Sequence, residues 1–270
     1  SILPNYQQYY SIPESLGNEV RIYTCDEKSD YKIDFTELAK LVDSHTKMIN
    51  LASPNNPTGY ALDQSEMEQL AELARSVGAY VVCDEIYRGL SDDYMPSICD
   101  VYEKGICTSS TSKVFSSAGT RVGWIVTRDL SIKDAMMNMR SYHSICEGPI
   151  NELIAAIILE NKEVFYKRNT AIVKAAQDVL KEWLKGQPHF KPAVESKSST
   201  AFLYYDFDIP AADFAQELYD KKSTLVCHGA CFEQEHCFRI GFGFGDLAYF
   251  KAGLDQIGEF VKELETEGRI

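Results

Sequence analysis

Short apolar segments alternate with amphipathic segments through the first half of the chain, and this alternation constrains the fold more than any other feature. Apolar residues recur at helical spacing over residues 63–78, where Gly78 is a natural helix stop. Strands separated by a helix of this length form βαβ units, so we predict an α/β fold: a mostly parallel sheet with helices on both faces. The predicted strands of this half are Val20–Tyr23, Met48–Ala52, Tyr80–Cys83, Ile106–Thr108 and Val122–Val126.

The pattern changes after residue 149, where long helical stretches are followed by fewer strand-like runs. We predict a large domain over residues 1–166 and a smaller α+β C-terminal domain over residues 167–270, with a long helix crossing the boundary. The predicted helices are Asn151–Leu159, Val164–Leu184, Ala211–Tyr219 and Phe250–Leu264, and the predicted strands are Ala201–Tyr205 and Phe238–Phe242.

Charge and cysteine usage restrict the class of function. The chain has 27 Lys and Arg residues against 40 Asp and Glu residues, a net charge of −13, which on average repels nucleic acid and anionic membranes. No apolar run approaches the roughly 20 residues of a membrane-spanning helix, and the N-terminus does not have the pattern of a signal peptide. Two of the eight cysteines, Cys83 and Cys107, lie in apolar runs where a free thiol packs as a small hydrophobe. These features predict a reduced, cytoplasmic protein.

The only dense group of potential metal ligands lies between residues 227 and 237, where two histidines and three cysteines are close in sequence. Their spacing matches none of the standard zinc motifs. We therefore predict no metal site.

Polar side chains follow three successive strands of the predicted sheet, at the point where each strand ends. Residues 53–59 supply amides, Asp84 and Tyr87 follow the next strand, and residues 108–112 supply hydroxyls directly before Lys113. Because ligands bind beyond the carboxyl ends of parallel strands, these groups are expected to line one crevice. The arrangement indicates a site for a small molecule.

The residue types in this crevice favour one cofactor. A lysine amine forms a reversible imine with a carbonyl group, and hydroxyls followed by Arg121 are suited to bind a phosphate. A carboxylate at a buried strand end, such as Asp84, needs a positive partner, which a protonated ring nitrogen would supply. These three properties together indicate pyridoxal phosphate. A buried Arg239 without a ligand would be costly, which favours a functional role for it.

These residues, in this order, resemble the class I and II aminotransferases, the aspartate-aminotransferase-like branch of the fold-type I pyridoxal-phosphate enzymes. The resemblance covers essentially the whole chain and implies the fold-type I architecture. The segments that carry it are Asn55–Gly59, Asp84–Tyr87, Ser110–Lys113, Arg121–Gly123 and Phe238–Phe242.

The resemblance implies a role for each matching residue. Lys113 would be the Schiff-base lysine and would move a proton at the substrate α-carbon. Asp84 would pair with the pyridine nitrogen, while Tyr87 would hydrogen-bond the ring oxygen. The other implied roles are ring-oxygen and substrate contact by Asn56, stacking on the ring by Tyr6, phosphate binding by Ser110, Ser112 and Arg121, and substrate-carboxylate binding by Arg239.

The implied function is transfer of an α-amino group from an amino acid to a 2-oxo acid by a homodimer. Family members carry a segment before the point that corresponds to Ser1, and that segment supplies phosphate ligands and a tyrosine for the partner's site. We therefore expect Ser1 to mark the start of a fragment or a truncated chain. Two alternatives remain: another reaction of the same cofactor, such as that of a C–S lyase, a decarboxylase or a synthase, and a non-catalytic sensor of the cofactor or of amino acids.

Overall fold

A computed structural model describes residues 1–270 as two main sheets flanked by helices. The strands are β1 (Ile2–Leu3), β2 (Tyr23–Thr24), β3 (Met48–Ala52), β4 (Tyr80–Asp84), β5 (Gly105–Ser110), β6 (Gly123–Thr127), β7 (Phe190–Pro192), β8 (Thr200–Tyr205), β9 (Cys227–His228) and β10 (Cys237–Gly241). The helices are α1 (Gln8–Ser15), α2 (Phe35–Ala39), α3 (Gln64–Val77), α4 (Ile98–Val101), α5 (Lys133–His143), α6 (Pro149–Glu160), α7 (Lys162–Leu184), α8 (Ala211–Lys222) and α9 (Leu247–Thr266).

The first sheet has the strand order β3-β4-β5-β6, and its first three strands are parallel. β6 runs antiparallel to β5. The connection between them contains only the short 3-10 helix Ala118–Thr120, whereas a parallel crossover usually contains an α-helix that packs on the sheet. The predicted strand over residues 20–23 was too long, because only Tyr23–Thr24 pairs, in parallel with β1.

Helix α3 shows how the local sequence sets the crossover between β3 and β4. Asp63 accepts a hydrogen bond from the backbone N–H of Glu66, whose side chain in turn accepts one from the N–H of Asp63. The helix ends at Gly78, which adopts a left-handed φ of 72°. Met67, Leu70 and other apolar residues of one helix face are fully buried against the sheet. The predicted βαβ unit is therefore present.

The second sheet is antiparallel, with the strand order β7-β8-β10-β9, and it packs with helices α7, α8 and α9. Its apolar core also contains Tyr87, Val114 and Phe115, which follow strands of the first sheet. This shared core brings β10 close to the carboxyl ends of β4 and β5. The division into domains at residue 166 stays a prediction; α7 does run across that position.

None of the helices combines the length and the apolar character needed to cross a lipid bilayer. All eight cysteines are unpaired, and five of them are buried.

Candidate functional site

One large cavity, of about 1530 Å³, opens where the carboxyl ends of β3, β4 and β5 approach β10. This volume exceeds that of most single-ligand pockets and is enough for a cofactor together with a substrate. Its walls come from the loops after the three strands, from the start of the chain, from α7 and α9, and from the segment after α8. The sequence predicted a crevice at these strand ends, and the cavity lies there.

Asp84, the last residue of β4, is the only carboxylate that lines the cavity. Its Oδ1 accepts hydrogen bonds from the Ile86 N–H at 3.1 Å and the Thr108 hydroxyl at 3.2 Å, and its Oδ2 accepts one from the Tyr9 hydroxyl. Burial raises the pKa of Asp84, while these donors and Lys113 act in the opposite direction. The donors hold the carboxylate in one orientation, facing the cavity.

Lys113 lies three residues after β5, and its side chain is exposed to the cavity. The amine lies 6.0 Å from the ring centre of Tyr87, and it takes part in no ion pair. Tyr87 is buried, which raises its pKa, and the charge of Arg239 partly offsets that rise. The phenol is therefore a hydrogen-bond donor near a free primary amine.

Arg239 on β10 is half-buried and has no carboxylate partner. One of its N–H groups donates to the side-chain oxygen of Asn56 at 2.7 Å, and its guanidinium lies 5.2 Å from the ring centre of Phe232. An amide and an aromatic face orient the guanidinium without neutralising it. The remaining donors can take a carboxylate in a bidentate pair.

Asn56 is held in position by the turn after β3. Gly59 in this turn has a φ of 80°, and a Cβ there would lie 2.1 Å from the Ser196 hydroxyl oxygen. Only glycine fits such a position, which lets the turn pack closely against the segment before β8.

The cavity concentrates positive charge in a chain whose net charge is −13. Lys113, Arg168, Lys222 and Arg239 line it, against the single carboxylate of Asp84. Lys222 is paired with Glu259 and Glu263. A cavity with this balance attracts anionic ligands despite the acidic surface of the protein.

The residues predicted to bind a phosphate are only partly brought together. Ser112 lines the cavity, but Ser110 and Arg121 do not. The Ser110 hydroxyl accepts a hydrogen bond from the Ser112 N–H at 3.1 Å, and the exposed Arg121 guanidinium donates to the Ala118 carbonyl at 3.0 Å. Arg121 has a φ of 55°, a backbone conformation that the sequence does not indicate. The phosphate role of these two residues stays a prediction that requires their side chains to turn.

Seven of the nine predicted site residues line the one cavity: Tyr6, Asn56, Asp84, Tyr87, Ser112, Lys113 and Arg239. Tyr9, whose hydroxyl binds Asp84, and Arg168 were not predicted from the sequence; Thr108 was placed among the hydroxyls of the crevice, but not as a partner of Asp84. Tyr9 lies three residues after Tyr6, at the first turn of α1, so a second aromatic residue in that segment was the available signal.

The residues present fit pyridoxal phosphate at two of its three recognition points. An unpaired lysine amine matches the aldehyde, and an oriented carboxylate in an otherwise cationic cavity matches a protonated ring nitrogen. At the phosphate end, Ser112 lines the cavity, whereas Ser110 and Arg121 do not.

Comparison with known proteins agrees with this arrangement. The family model described as "Aminotransferase class I and II" matches residues 1–257. A crystal structure of a PLP-dependent aminotransferase from Streptococcus suis superposes with a TM-score of 0.93 at 34% sequence identity, over 97% of this chain and 70% of that chain. The fold is therefore that of the fold-type I aminotransferases, as the sequence predicted.

Curated relatives are more distant and longer. An aspartate aminotransferase from Sulfurisphaera tokodaii is 26% identical over 97% of this chain and 69% of its own length. Nicotianamine aminotransferase 1 from Oryza sativa is also 26% identical, over 96% of this chain and 56% of its own length. A cystine lyase from Arabidopsis thaliana is 28% identical over 82% of this chain and 56% of its own length. The chain thus spans between about half and two thirds of the length of these curated relatives, and it belongs to the class I and II aminotransferase family.

Proposed function

We propose that this protein is a pyridoxal-phosphate-dependent aminotransferase, which moves an α-amino group from an amino acid to a 2-oxo acid. The observation that carries the proposal is a half-buried guanidinium without an acidic partner, that of Arg239, lining the same cavity as the unpaired amine of Lys113 and the oriented carboxylate of Asp84. A carboxylate-binding group, an amine and a ring-nitrogen partner are the three groups that such a reaction needs.

When bound, the cofactor supplies an aldehyde carbon to which amines attach and a ring that withdraws electrons from the substrate α-carbon. Arg239 binds the substrate carboxylate and so fixes the α-carbon near Lys113. The Lys113 amine, as the general base, would hold the proton that leaves that carbon. Asp84 keeps a proton on the ring nitrogen, and Tyr9 and Thr108 hold the carboxylate in place for that task.

Three further residues orient the ring in this proposal. The buried Tyr87 phenol and the Asn56 amide hydrogen-bond the ring oxygen, and Asn56 also positions Arg239. Tyr6 lines the cavity with its side chain 48% exposed, which leaves its ring face free to stack on the cofactor. Ser112, joined by Ser110 and Arg121 once their side chains turn, binds the phosphate.

The test is an absorbance spectrum of the purified protein with pyridoxal phosphate, before and after addition of a panel of amino acids. We expect a visible band from attachment to Lys113, and its loss with those amino acids that are donors. The Lys113→Ala variant should lack the band, whereas Lys104→Ala, which removes an exposed lysine bound to the Gly78 carbonyl, should keep it. A band that no amino acid changes would contradict an enzymatic function and favour a sensor.

A C–S lyase is the second candidate, because one relative is named a cystine lyase. The two reactions leave different products. Incubation with cystine and a 2-oxo acid followed by product analysis separates them: a lyase releases pyruvate and ammonia, while an aminotransferase converts the added 2-oxo acid into an amino acid.

We also propose that the protein is a homodimer. The support is an exposed apolar face on α6, where Ile150, Leu153 and Ile157 are each more than half exposed. Burial of such a face against a second copy would stabilise the assembly. Sedimentation velocity should show a dimer that Leu153→Glu dissociates and that Lys162→Glu, a charge change just beyond the helix, leaves intact. A Leu153→Glu variant that sediments like the unchanged protein would contradict this interface.

The unpaired cysteines support a reducing compartment, and we propose the cytoplasm. Fractionation of cells with detection of the untagged protein tests this proposal directly. Recovery in a membrane or secreted fraction would contradict it.

A further inference from the structure

Three reactive side chains lie together at the edge of the cavity and have no part in the proposed reaction. Cys227 and His228 form β9, and Cys231 lies in the single 3-10 turn Gly229–Phe232 that follows. The Cys231 sulfur is 3.5 Å from Nε2 of His228, and the Cys227 and Cys231 side chains pack against the same apolar cluster. Both of these thiols are partly exposed, whereas five of the other six are buried.

This thiol pair is adjacent to Arg239 on two sides. Cys227 lies directly opposite Arg239 in the β9–β10 pairing, and both residues line the cavity. Phe232, the residue after Cys231, places its ring 5.2 Å from the Arg239 guanidinium. Any covalent change at the thiols therefore acts on the immediate surroundings of this arginine.

We propose that Cys227 and Cys231 are an oxidation site, at which a hydroperoxide converts the two thiols into a disulfide and thereby weakens carboxylate binding at Arg239. The second clause of this inference rests on the proposed function, and the first does not.

The chemistry balances with hydrogen peroxide as the oxidant. The Cys231 thiol gives its proton to the His228 ring, its sulfur attacks one peroxide oxygen, the O–O bond breaks, and the other oxygen leaves as water with the proton from His228. The Cys227 sulfur then attacks the Cys231 sulfur, forming the S–S bond while the S–O bond breaks and a second water leaves with the Cys227 proton. Two thiols lose two electrons and the peroxide gains them.

The order of attack follows from the surroundings of each sulfur. Burial raises the pKa of the Cys227 thiol, which makes it the poorer first nucleophile. Cys231 has an imidazole in contact to accept its proton. Cys231 therefore attacks the peroxide first, and Cys227 resolves the product.

The disulfide affects Arg239 because the start of the turn, at Gly229, has no room to move. A Cβ on Gly229 would lie 2.3 Å from the Cys237 sulfur and 2.5 Å from the Gln234 carbonyl, so the turn is packed tightly against β10. The movement that closes the two sulfurs to about 2 Å must then come from the side chains and from the segment that carries Phe232. Loss of the contact between Phe232 and Arg239 should weaken carboxylate binding about tenfold.

Peptide mapping tests the oxidation site without any cofactor. The chain is treated with hydrogen peroxide, unfolded, alkylated and cut after Lys, Arg and Glu, which separates peptide 223–233 from Cys237. We expect this peptide to carry no alkyl group and to be two hydrogens lighter, and dithiothreitol to restore both alkylation sites. The matched internal control is the pair Cys99 and Cys107, which are both buried in one apolar cluster and should stay fully alkylated.

Two results would overturn the oxidation site. One is a doubly alkylated peptide 223–233 at a peroxide dose that already oxidises the exposed Cys146. The other is a disulfide between Cys99 and Cys107 in its place. The variant Cys231→Ser should leave Cys227 reduced, whereas Cys146→Ser should change nothing in peptide 223–233.

The effect on Arg239 is measured by protection of this arginine from phenylglyoxal by 2-oxoglutarate. Oxidation should raise the concentration that gives half-protection about tenfold, dithiothreitol should reverse the change, and Cys231→Ser should be insensitive to peroxide. Equal protection in the reduced and the oxidised chain would overturn the coupling to Arg239. Absence of protection in the reduced chain would overturn the proposed carboxylate site as well, while the peptide map would still decide the oxidation site.

Discussion

Replacing Arg239 by glutamine separates substrate binding from stability. The guanidinium is half-buried and is partnered only by the Asn56 amide and the Phe232 ring, so no acid is left unpaired when its charge is removed. A glutamine amide can still donate to the Asn56 oxygen. We therefore expect the free energy of unfolding of the Arg239→Gln variant to change by less than about 1 kcal/mol, since an unpaired half-buried charge adds little stability.

The effect on substrate should be much larger. A hydrogen bond to a charged group contributes about 1.5–3 kcal/mol, which corresponds to roughly a 10- to 100-fold change in affinity. Titration of the cofactor-loaded variant with amino acids, followed by absorbance, should show half-saturation shifted by this factor. The cofactor itself should bind as before, because Lys113 and Asp84 are unchanged.

Arg75→Gln is the matched control, because it removes an exposed guanidinium whose partner is Glu103 on the surface. This variant should titrate like the unchanged protein. Unchanged substrate affinity in Arg239→Gln would contradict the carboxylate-binding role of Arg239. Unfolding of Arg239→Gln under conditions in which Arg75→Gln stays folded would make Arg239 a structural residue.

Two more outcomes follow from single contacts. In Tyr9→Phe, loss of the hydroxyl that donates to Asp84 should raise the pKa of Asp84 further. Because the ionised carboxylate binds the cofactor, the loss of cofactor affinity on acidification should begin at a higher pH than in the unchanged protein. Fluorescence titration across pH measures this loss, and an unshifted profile would contradict the role of Tyr9. Gly59→Ala should lower the free energy of unfolding by about 1–3 kcal/mol in a denaturant titration. Gly17→Ala, also at positive φ but in open space, should lower it less. Equal losses would mean that backbone strain, and not contact with Ser196, is responsible.

The sequence predicted most of the first sheet because its signals are local. Met48–Ala52 matched β3 residue for residue, and the caps Asp63 and Gly78 fixed α3. The direction of β6 and the two-residue strand β9 were not predictable in the same way. The direction of a strand depends on how its connection crosses the sheet, and a two-residue strand is too short to show an alternating pattern.

The same difference between local and long-range signals explains which residues of the cavity were predicted from the sequence and which were not. Residues placed by strand ends, such as Asp84 and Lys113, were found because topology alone brings those ends together. Tyr9 was missed because its contact with Asp84 spans 75 residues and depends on how α1 packs. The direction of the Arg121 side chain depends on a positive φ of 55°, which no residue type in that segment requires.

Asp84 and Glu85 show how the structure distinguishes two neighbouring carboxylates. Both are acids at the end of β4, and burial raises the pKa of each. Glu85 is 3% exposed, and one of its oxygens accepts from the Ser97 hydroxyl at 2.8 Å and from the Ile98 N–H at 3.0 Å, so it anchors the start of α4. Asp84 instead faces the cavity. In the structure, Glu85 therefore supports the fold, whereas Asp84 is available to the cavity.

The paired substitutions Asp84→Asn and Glu85→Gln test this assignment, because each replaces a carboxylate by its isosteric amide one residue apart. We expect Asp84→Asn to weaken cofactor binding by roughly 10- to 100-fold, the range for loss of a charged hydrogen bond, and Glu85→Gln to leave it unchanged. In the cofactor-free protein, the ionised Asp84 is destabilising once the pH exceeds its usual pKa, because burial raises the folded value; Asp84→Asn should therefore be at least as stable as the unchanged protein at neutral pH. Glu85→Ala should lose about 2–4 kcal/mol, because it leaves two buried donors and a cavity at α4. Equal cofactor affinities in Asp84→Asn and Glu85→Gln would show that the carboxylate facing the cavity does not bind the ring, and the proposed reaction would lose the group that keeps its cofactor protonated.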